Sequence, residues 1–64
     1  MIYKLYYRMV NLLNGNKQIE SIAGEDLEKL RIVKRMINNS TFGHVMIESA
    51  FIMDQNMLYI NDNY

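Results

Sequence analysis

The chain has 64 residues, with seven basic and seven acidic side chains, one histidine and no cysteine. A chain of this length has room for one small core, because it buries only about 60% of the surface that its unfolded form exposes. We therefore expect residues 1–64 to form a single domain. The net charge of zero excludes a long-range positive field that would draw the whole protein to nucleic-acid phosphate, but it permits a local basic patch.

The composition offers few of the usual means of stabilising a small domain. Such domains commonly rely on disulfides, a structural metal or a partner subunit. With no cysteine and one histidine, we expect neither a metal nor any other cofactor. Half of the residues are hydrophobic, among them six Met, five Tyr and two Phe. A monomer of this size cannot easily hide so much apolar material, so we predict a homodimer.

The absence of cysteine fits a reducing compartment. Lys4 and Arg8 interrupt the apolar N-terminal run, which argues against a signal peptide or a membrane span there. We expect a cytoplasmic protein that makes no contact with membranes. Frequent Ile, Asn, Lys and Tyr are typical of AT-rich genomes, and a Met-initiated product of this size suits a phage or another mobile element.

The N-terminal segment, residues 2–10, fits either a strand or a helix. As a strand it alternates, with Lys4, Tyr6 and Arg8 on one face and mostly apolar side chains on the other. As a helix its apolar residues also share a stripe at helical spacing. We favour the strand because three tyrosines in five residues suit a pleated surface and no N-cap residue precedes Ile2.

The pair Asn14-Gly15 is the strongest turn signal, because both residue types tolerate the positive φ angles of a tight reversal. It predicts a hairpin whose second strand covers residues 17–23. The apolar residues of this second strand do not alternate cleanly. We therefore expect either a bulge or an edge position, with the strand ending at Gly24.

Residues 25–38 are predicted to form the one helix. Its apolar residues recur at spacings of three and four and share one face, which consists of Leu27, Leu30, Val33 and Ile37. Acidic side chains lead and basic ones follow, which matches the helix dipole. Arg31 and Arg35 lie on the opposite face, where we expect an exposed basic pair.

Residues 44–53 alternate as a third strand, and residues 57–60 follow a polar reversal as a fourth. The side of the third strand expected to face the helix carries Val45, Ile47, Ser49, Phe51 and Met53. The opposite side is expected to present Met46, Ala50 and Ile52 beside Tyr6. Residues 61–64 are expected to form a polar tail.

These elements predict an α+β fold of the order ββαββ. The helix should lie on one face of a four-stranded, mainly antiparallel sheet, because strands joined by short turns pair with each other. The opposite face of the sheet stays open. The first and third strands have directions that permit antiparallel pairing in the middle of the sheet, although the sequence does not determine this order.

No catalytic motif is visible. His44 is the one imidazole, and Glu48 would lie about 13 Å away along a strand, too far for a direct bond. The serines lie in no nucleophile motif, and no phosphate-binding loop or metal-binding helix motif occurs. Glu20 and Glu48 have no local reason to form an acid pair. We therefore expect a protein without enzymatic activity.

The leading hypothesis is a small protein-binding module that acts as a homodimer through the open face of its sheet or a strand edge. A phage-type accessory protein of this kind would bind and modulate a host protein. Aromatic residues, Met and Arg are enriched at protein interfaces. The candidate partner-binding residues are Tyr6, Arg8, Met46, Ile52, Arg31 and Arg35.

Two alternatives remain. A sheet face with Tyr, Lys and Arg also suits a nucleic-acid-binding domain, since single strands bind to stacking platforms flanked by cations. A small ribonuclease-type toxin is the second alternative, but it would need positive charge and acid–base residues that this chain largely lacks.

Overall fold

The computed structural model describes residues 1–60, which form one helix and one sheet of five strands. In chain order the elements are β1 (Tyr3–Asn11), β2 (Lys17–Gly24), α1 (Leu27–Ile37), β3 (Thr41–Phe42), β4 (Val45–Met53) and β5 (Tyr59–Ile60). The predicted α+β class is confirmed. The predicted ββαββ order lacks one element, because the short strand β3 precedes β4 and raises the number of strands from four to five.

The N-terminal segment is a strand, and it forms the predicted hairpin with β2. At the turn, the Asn11 N–H donates to the Asn16 carbonyl at 2.8 Å, and the Gly15 N–H donates to the Asn11 carbonyl at 2.7 Å. Gly15 has a φ of +75°, in the left-handed region that a residue without Cβ adopts at little cost.

The sheet has the strand order β2-β1-β4-β3, and β5 also pairs with β4. All four pairings are antiparallel, so β1 and β4 are the central strands. The sequence permitted a pairing of the first strand with the predicted third strand, residues 44–53, and this pairing occurs between β1 and β4. Strand β2 occupies an edge, which confirms one of the two expectations for residues 17–23.

A β-bulge in β4 changes which of its side chains face the helix. Arg8 lies opposite Ser49 and Met9 lies opposite Ile47, so Glu48 is an extra residue in β4 with no residue opposite it. One extra residue inverts the alternation of everything that follows it along the strand. The bulge that we considered for residues 17–23 thus lies in β4, while the register of β2 is unbroken.

Because of this inversion, the predicted sheet face is correct for the residues of β4 before the bulge and wrong for those after it. Ile47 lies on the helix side as predicted and is 4% exposed. Beyond the bulge, however, Phe51 lies opposite Tyr6 and on the face away from the helix, as does Met53. Ala50 and Ile52 take the helix side instead and pack in the core.

Helix α1 starts with a side-chain cap. The Asp26 Oδ1 accepts hydrogen bonds from the backbone N–H groups of Glu28 at 3.1 Å and Lys29 at 3.3 Å. This cap places the first helical residue at Leu27, two residues later than predicted. The helix ends at Ile37, and Asn39 adopts a φ of +60°, so the predicted stop near residues 38–39 agrees with the structure.

The core lies between α1 and the central strands. Leu5, Leu30 and Ile52 are buried together at its centre. Partly buried side chains surround them, namely Tyr3, Leu27, Val33, Ile37, Ala50 and Ile60. The predicted apolar face of the helix is therefore the face that packs on the sheet, and the other sheet face has no helix on it within residues 1–60.

The C-terminal hairpin is shorter than expected. Its turn is closed by Asp54, whose Oδ1 accepts from the N–H groups of Asn56 at 2.8 Å and Leu58 at 3.0 Å. Strand β5 then covers two residues, whereas the sequence predicted a strand over residues 57–60. The expected polar tail, residues 61–64, lies outside the described residues.

Candidate protein-binding surface

The sheet face turned away from α1, which we call the open face, collects side chains of several strands. Direct pairing places opposite residues on the same side of a sheet, so the register defines this face. On the two central strands its residues are Lys4, Tyr6, Arg8, Val10, Met46, Ser49, Phe51 and Met53. Most of the apolar side chains among them are half-buried.

Three aromatic rings form a row across the open face. The ring centroids of Tyr6 and Phe51 are 5.4 Å apart with an interplanar angle of 18°, and those of Phe51 and Tyr59 are 6.0 Å apart at 21°. Tyr59, at the outer end, is 64% exposed. The three residues lie on β1, β4 and β5, so the row runs across the strands. We call Tyr6, Phe51 and Tyr59 the aromatic row.

A charged cluster lies beside the aromatic row. The bulged Glu48 places its Oε1 at 3.3 Å from the Lys17 Nζ and its Oε2 at 3.9 Å from the Arg8 Nη1. The three side chains are between 35% and 55% exposed, so water screens these ion pairs and they add little stability. Two cations against one carboxylate leave a local excess of one positive charge.

Three of the six predicted partner-binding residues share the open face. They are Tyr6, Arg8 and Met46, which lies opposite Val10. The predicted placement of Ile52 on this face is wrong. Ile52 is 1% exposed and packs in the core, because the bulge at Glu48 turns it toward the helix.

The two predicted helix residues, Arg31 and Arg35, lie on the other side of the sheet from the open face. Arg35 is exposed, as expected. Arg31 is not, since its side chain is 15% exposed and its Nη1 donates to the Glu28 Oε1 at 2.9 Å. The six residues predicted from the sequence therefore do not form one continuous site.

Sequence reasoning missed two of the three rings of the aromatic row, Phe51 and Tyr59. Phe51 was assigned to the helix side because strict alternation was assumed through the whole of β4. The consecutive polar residues Glu48 and Ser49 interrupt an otherwise apolar run, which is compatible with a bulge there but does not require one. Tyr59 lies in a strand of two residues, for which alternation carries no information.

The described residues bring no catalytic constellation together. His44 is exposed, and its carbonyl accepts a hydrogen bond from the Leu12 N–H at 2.7 Å. Within residues 1–60, no group of three or more His, Asp or Glu side chains is arranged to hold a metal ion. An open hollow of about 470 Å³ is lined mostly by amide and apolar side chains, those of Met9, Asn11, Asn16, Lys17, Gln18 and Val45.

In the part of the chain that the structure describes, no helix is both long enough and apolar enough to cross a membrane. Comparisons of the chain with protein-family models, with curated proteins and with solved structures found no match.

Proposed function

We propose that this protein is a non-catalytic protein-binding module that works as a homodimer and contacts another protein through its open face. The observation that carries the proposal is the aromatic row, which lies next to Arg8 and to Met53, the residue opposite Tyr59. Tyr, Phe, Met and Arg are the side chains that the buried centres of protein interfaces favour. Tyrosine and arginine also dominate the residues that contribute most to binding energy.

The cellular setting follows from composition. A short chain without cysteine and rich in Ile, Asn, Lys and Tyr suits a cytoplasmic accessory protein of a phage or mobile element. Such a protein would bind a host protein and alter its activity. A rigid sheet suits this task, because the strand register holds the binding side chains in place before the partner arrives.

Binding of single-stranded nucleic acid is the second candidate. Lys4 and Arg8 lie on the open face near the aromatic row, which favours it. Base stacking, however, requires a free ring face. The rings of Tyr6 and Phe51 are turned toward each other, and Phe51 also faces Tyr59, so the central ring has no free face to offer. We therefore rank protein binding first.

The test is capture from a host lysate by the tagged, full-length protein. The lysate is treated with nuclease and the beads are washed at low and at high salt, because phosphate contacts weaken steeply with ionic strength and an apolar protein interface hardly responds. We expect at least one protein to remain bound after both treatments. Loss of all bound material to nuclease or to salt would contradict protein binding and favour the nucleic-acid candidate.

Two variants test whether the captured protein binds to the open face. Tyr59→Ala removes an exposed ring at the end of the aromatic row and should weaken the captured complex about tenfold or more. The matched control is Lys29→Ala, which changes an exposed side chain on the helix, on the other side of the sheet. If both variants retained the captured protein equally, the open face would not be the binding surface.

A further inference from the structure

The outer edge of β2 is the longest unpaired strand edge among residues 1–60. Strand β2 pairs with β1 in an unbroken register, from Gly24 opposite Tyr3 to Lys17 opposite Val10, and no described residue pairs with its other side. Every residue from 17 to 23 is exposed, including Ile19 at 61%. Natural sheets usually protect such edges with proline, bulges or central charges that point inward. The edge of β2 has no proline and no bulge, and its two charged residues are Lys17 at its start and the exposed Glu20 near its centre.

The register also shows which backbone groups point outward. Asn11 and Asn16 are joined by a backbone hydrogen bond of 2.8 Å, and bonded pairs recur at every second residue of an antiparallel ladder. Alternate residues of β2 therefore turn their N–H and C=O groups toward β1. The others, Lys17, Ile19, Ser21 and Ala23, present these groups at the free edge, where they form a template for another strand.

We propose that a second copy of this chain pairs with this edge, so that the two β2 strands run antiparallel about a two-fold axis at Ser21. The inference rests on the homodimer of the proposed function and identifies its interface. A two-fold interface joins the same patch on both subunits. Ser21 then lies opposite its own copy, and Ile19 lies opposite Ala23 of the partner subunit. Lys17, the first residue of β2, comes to the level of Glu25 of the partner subunit, the residue that directly follows the end of β2.

Charge decides between the possible registers. With the axis at Ser21, the opposite charges of Lys17 and Glu25 meet twice, once at each end of the paired strands. An axis at Glu20 would place that carboxylate directly opposite its own copy, which is destabilising. An axis at Ile19 or Ile22 would leave both Lys17 and Glu25 opposite uncharged residues. At Ser21 the closest like charges are the two copies of Glu20, which lie on a solvated diagonal of about 7–8 Å.

The proposed pairing preserves the open face. Strands that pair antiparallel in one sheet keep corresponding faces on the same side, because the two-fold axis is perpendicular to the sheet. The dimer would be a continuous sheet of ten strands, twice the five of one subunit, with both helices on one side and both open faces on the other. Ile19 and Ala23, which belong to the open face, would be covered by each other across the interface.

Single-cysteine variants test the register, since the chain has no cysteine of its own. In the proposed dimer the two Cα atoms of residue 21 are about 5.5 Å apart, which suits a disulfide. Those of residue 23 are about 14 Å apart, four residues along the strand and one strand spacing across it, which does not. Full-length Ser21→Cys, with oxidised glutathione as the electron acceptor, should form covalent dimer at least tenfold faster than Ala23→Cys. Equal rates, or a faster reaction of Ala23→Cys, would overturn the register.

A charge exchange tests the same contact without cross-linking. Lys17→Glu and Glu25→Lys should each dimerise about tenfold more weakly than the native chain, because each places like charges at both ends of the interface. An equimolar mixture of the two variants restores opposite charges at both ends and should recover native affinity as a heterodimer. Lys17→Glu also loses its contact with Glu48, but that loss persists in the mixture and cannot produce the recovery. A mixture no tighter than either variant alone would overturn the proposal.

Sedimentation of the native chain completes the test and separates this inference from the proposed function. We expect a dimer, whereas a well-folded monomer at high micromolar concentration would overturn self-association through β2. Tyr59→Ala should sediment as the native dimer, because residue 59 lies on β5 and far from the β2 edge in strand order. If Ser21→Cys cross-links while Tyr59→Ala retains every captured protein, the interface stands and the proposed function of the open face fails.

Discussion

Leu5 and Ile52 lie directly opposite each other on β1 and β4, and they are the two most completely buried side chains among the described residues, at 0% and 1% exposure. Together with Leu30 they join both central strands to the helix. A side chain at this position cannot take part in a surface contact. The role of Ile52 is therefore to hold the sheet and helix together.

Ile52→Ala should lower the free energy of unfolding by about 2–5 kcal/mol, because it leaves a cavity at the centre of the core. This loss is comparable with the whole stability of a small domain, roughly 5 kcal/mol at the lower end. Urea unfolding followed by circular dichroism measures it. Ile32→Ala, on the outer side of the helix where Ile32 is 52% exposed, is the control and should cost much less. Equal losses would contradict the packing described above.

The sequence predicted the elements whose signals are local. The helix follows from apolar residues at spacings of three and four, and the first hairpin follows from Asn14-Gly15 between two strand patterns. The open face was predicted as a feature, and Tyr6 and Arg8 were placed on it correctly.

The sequence could not determine the orientation of β4 beyond Glu48. The bulge leaves one residue of β4 unpaired. It also lets Ile52 be buried opposite Leu5, a contact between residues far apart in the chain. Strict alternation contains no information about that contact. The same applies to Arg31, whose exposure depends on its ion pair with Glu28 and on the elements packed around it.

Replacement by alanine should have opposite effects on the free energy of unfolding at two glycine positions. Gly24 has an ordinary φ, and a Cβ built there would lie 3.7 Å from the Leu30 side chain, a normal contact distance. Gly24→Ala should therefore be neutral or raise the free energy of unfolding by about 0.4–1 kcal/mol, because it restricts the unfolded chain. Gly15→Ala should lower that free energy by about 1–2 kcal/mol, because φ is +75° there. Thermal unfolding at matched protein concentration compares them, and a loss at both positions would show that β2 packs differently at Gly24.

The cap of α1 gives the next prediction. Asp26→Ala removes the acceptor for two backbone N–H groups and should lower the free energy of unfolding by about 0.5–2 kcal/mol. Asp26→Asn keeps a side-chain oxygen in the same place and should retain most of that stability. Urea titration of the two variants beside the native chain is sufficient. Equal destabilisation by Ala and Asn would mean that the charge of Asp26, rather than its hydrogen bonds, stabilises the helix start.

The ring contact between Tyr6 and Phe51 should be measurable as a coupling energy between substitutions of the two residues. Tyr6 and Phe51 stack at a centroid distance of 5.4 Å, and such pairs contribute about 0.5–1.5 kcal/mol beyond the burial of their surface. A double-mutant cycle with Tyr6→Leu and Phe51→Leu, measured by urea unfolding, should give a coupling in this range. Each leucine keeps apolar bulk on the open face, so the cycle isolates the contact between the rings.

A second cycle, which combines Tyr6→Leu with Ile32→Ala across the molecule, should be additive within about 0.3–0.5 kcal/mol. If both cycles were additive, the two rings would not stack in solution, and the open face would lack the rigid aromatic surface on which the proposed binding depends.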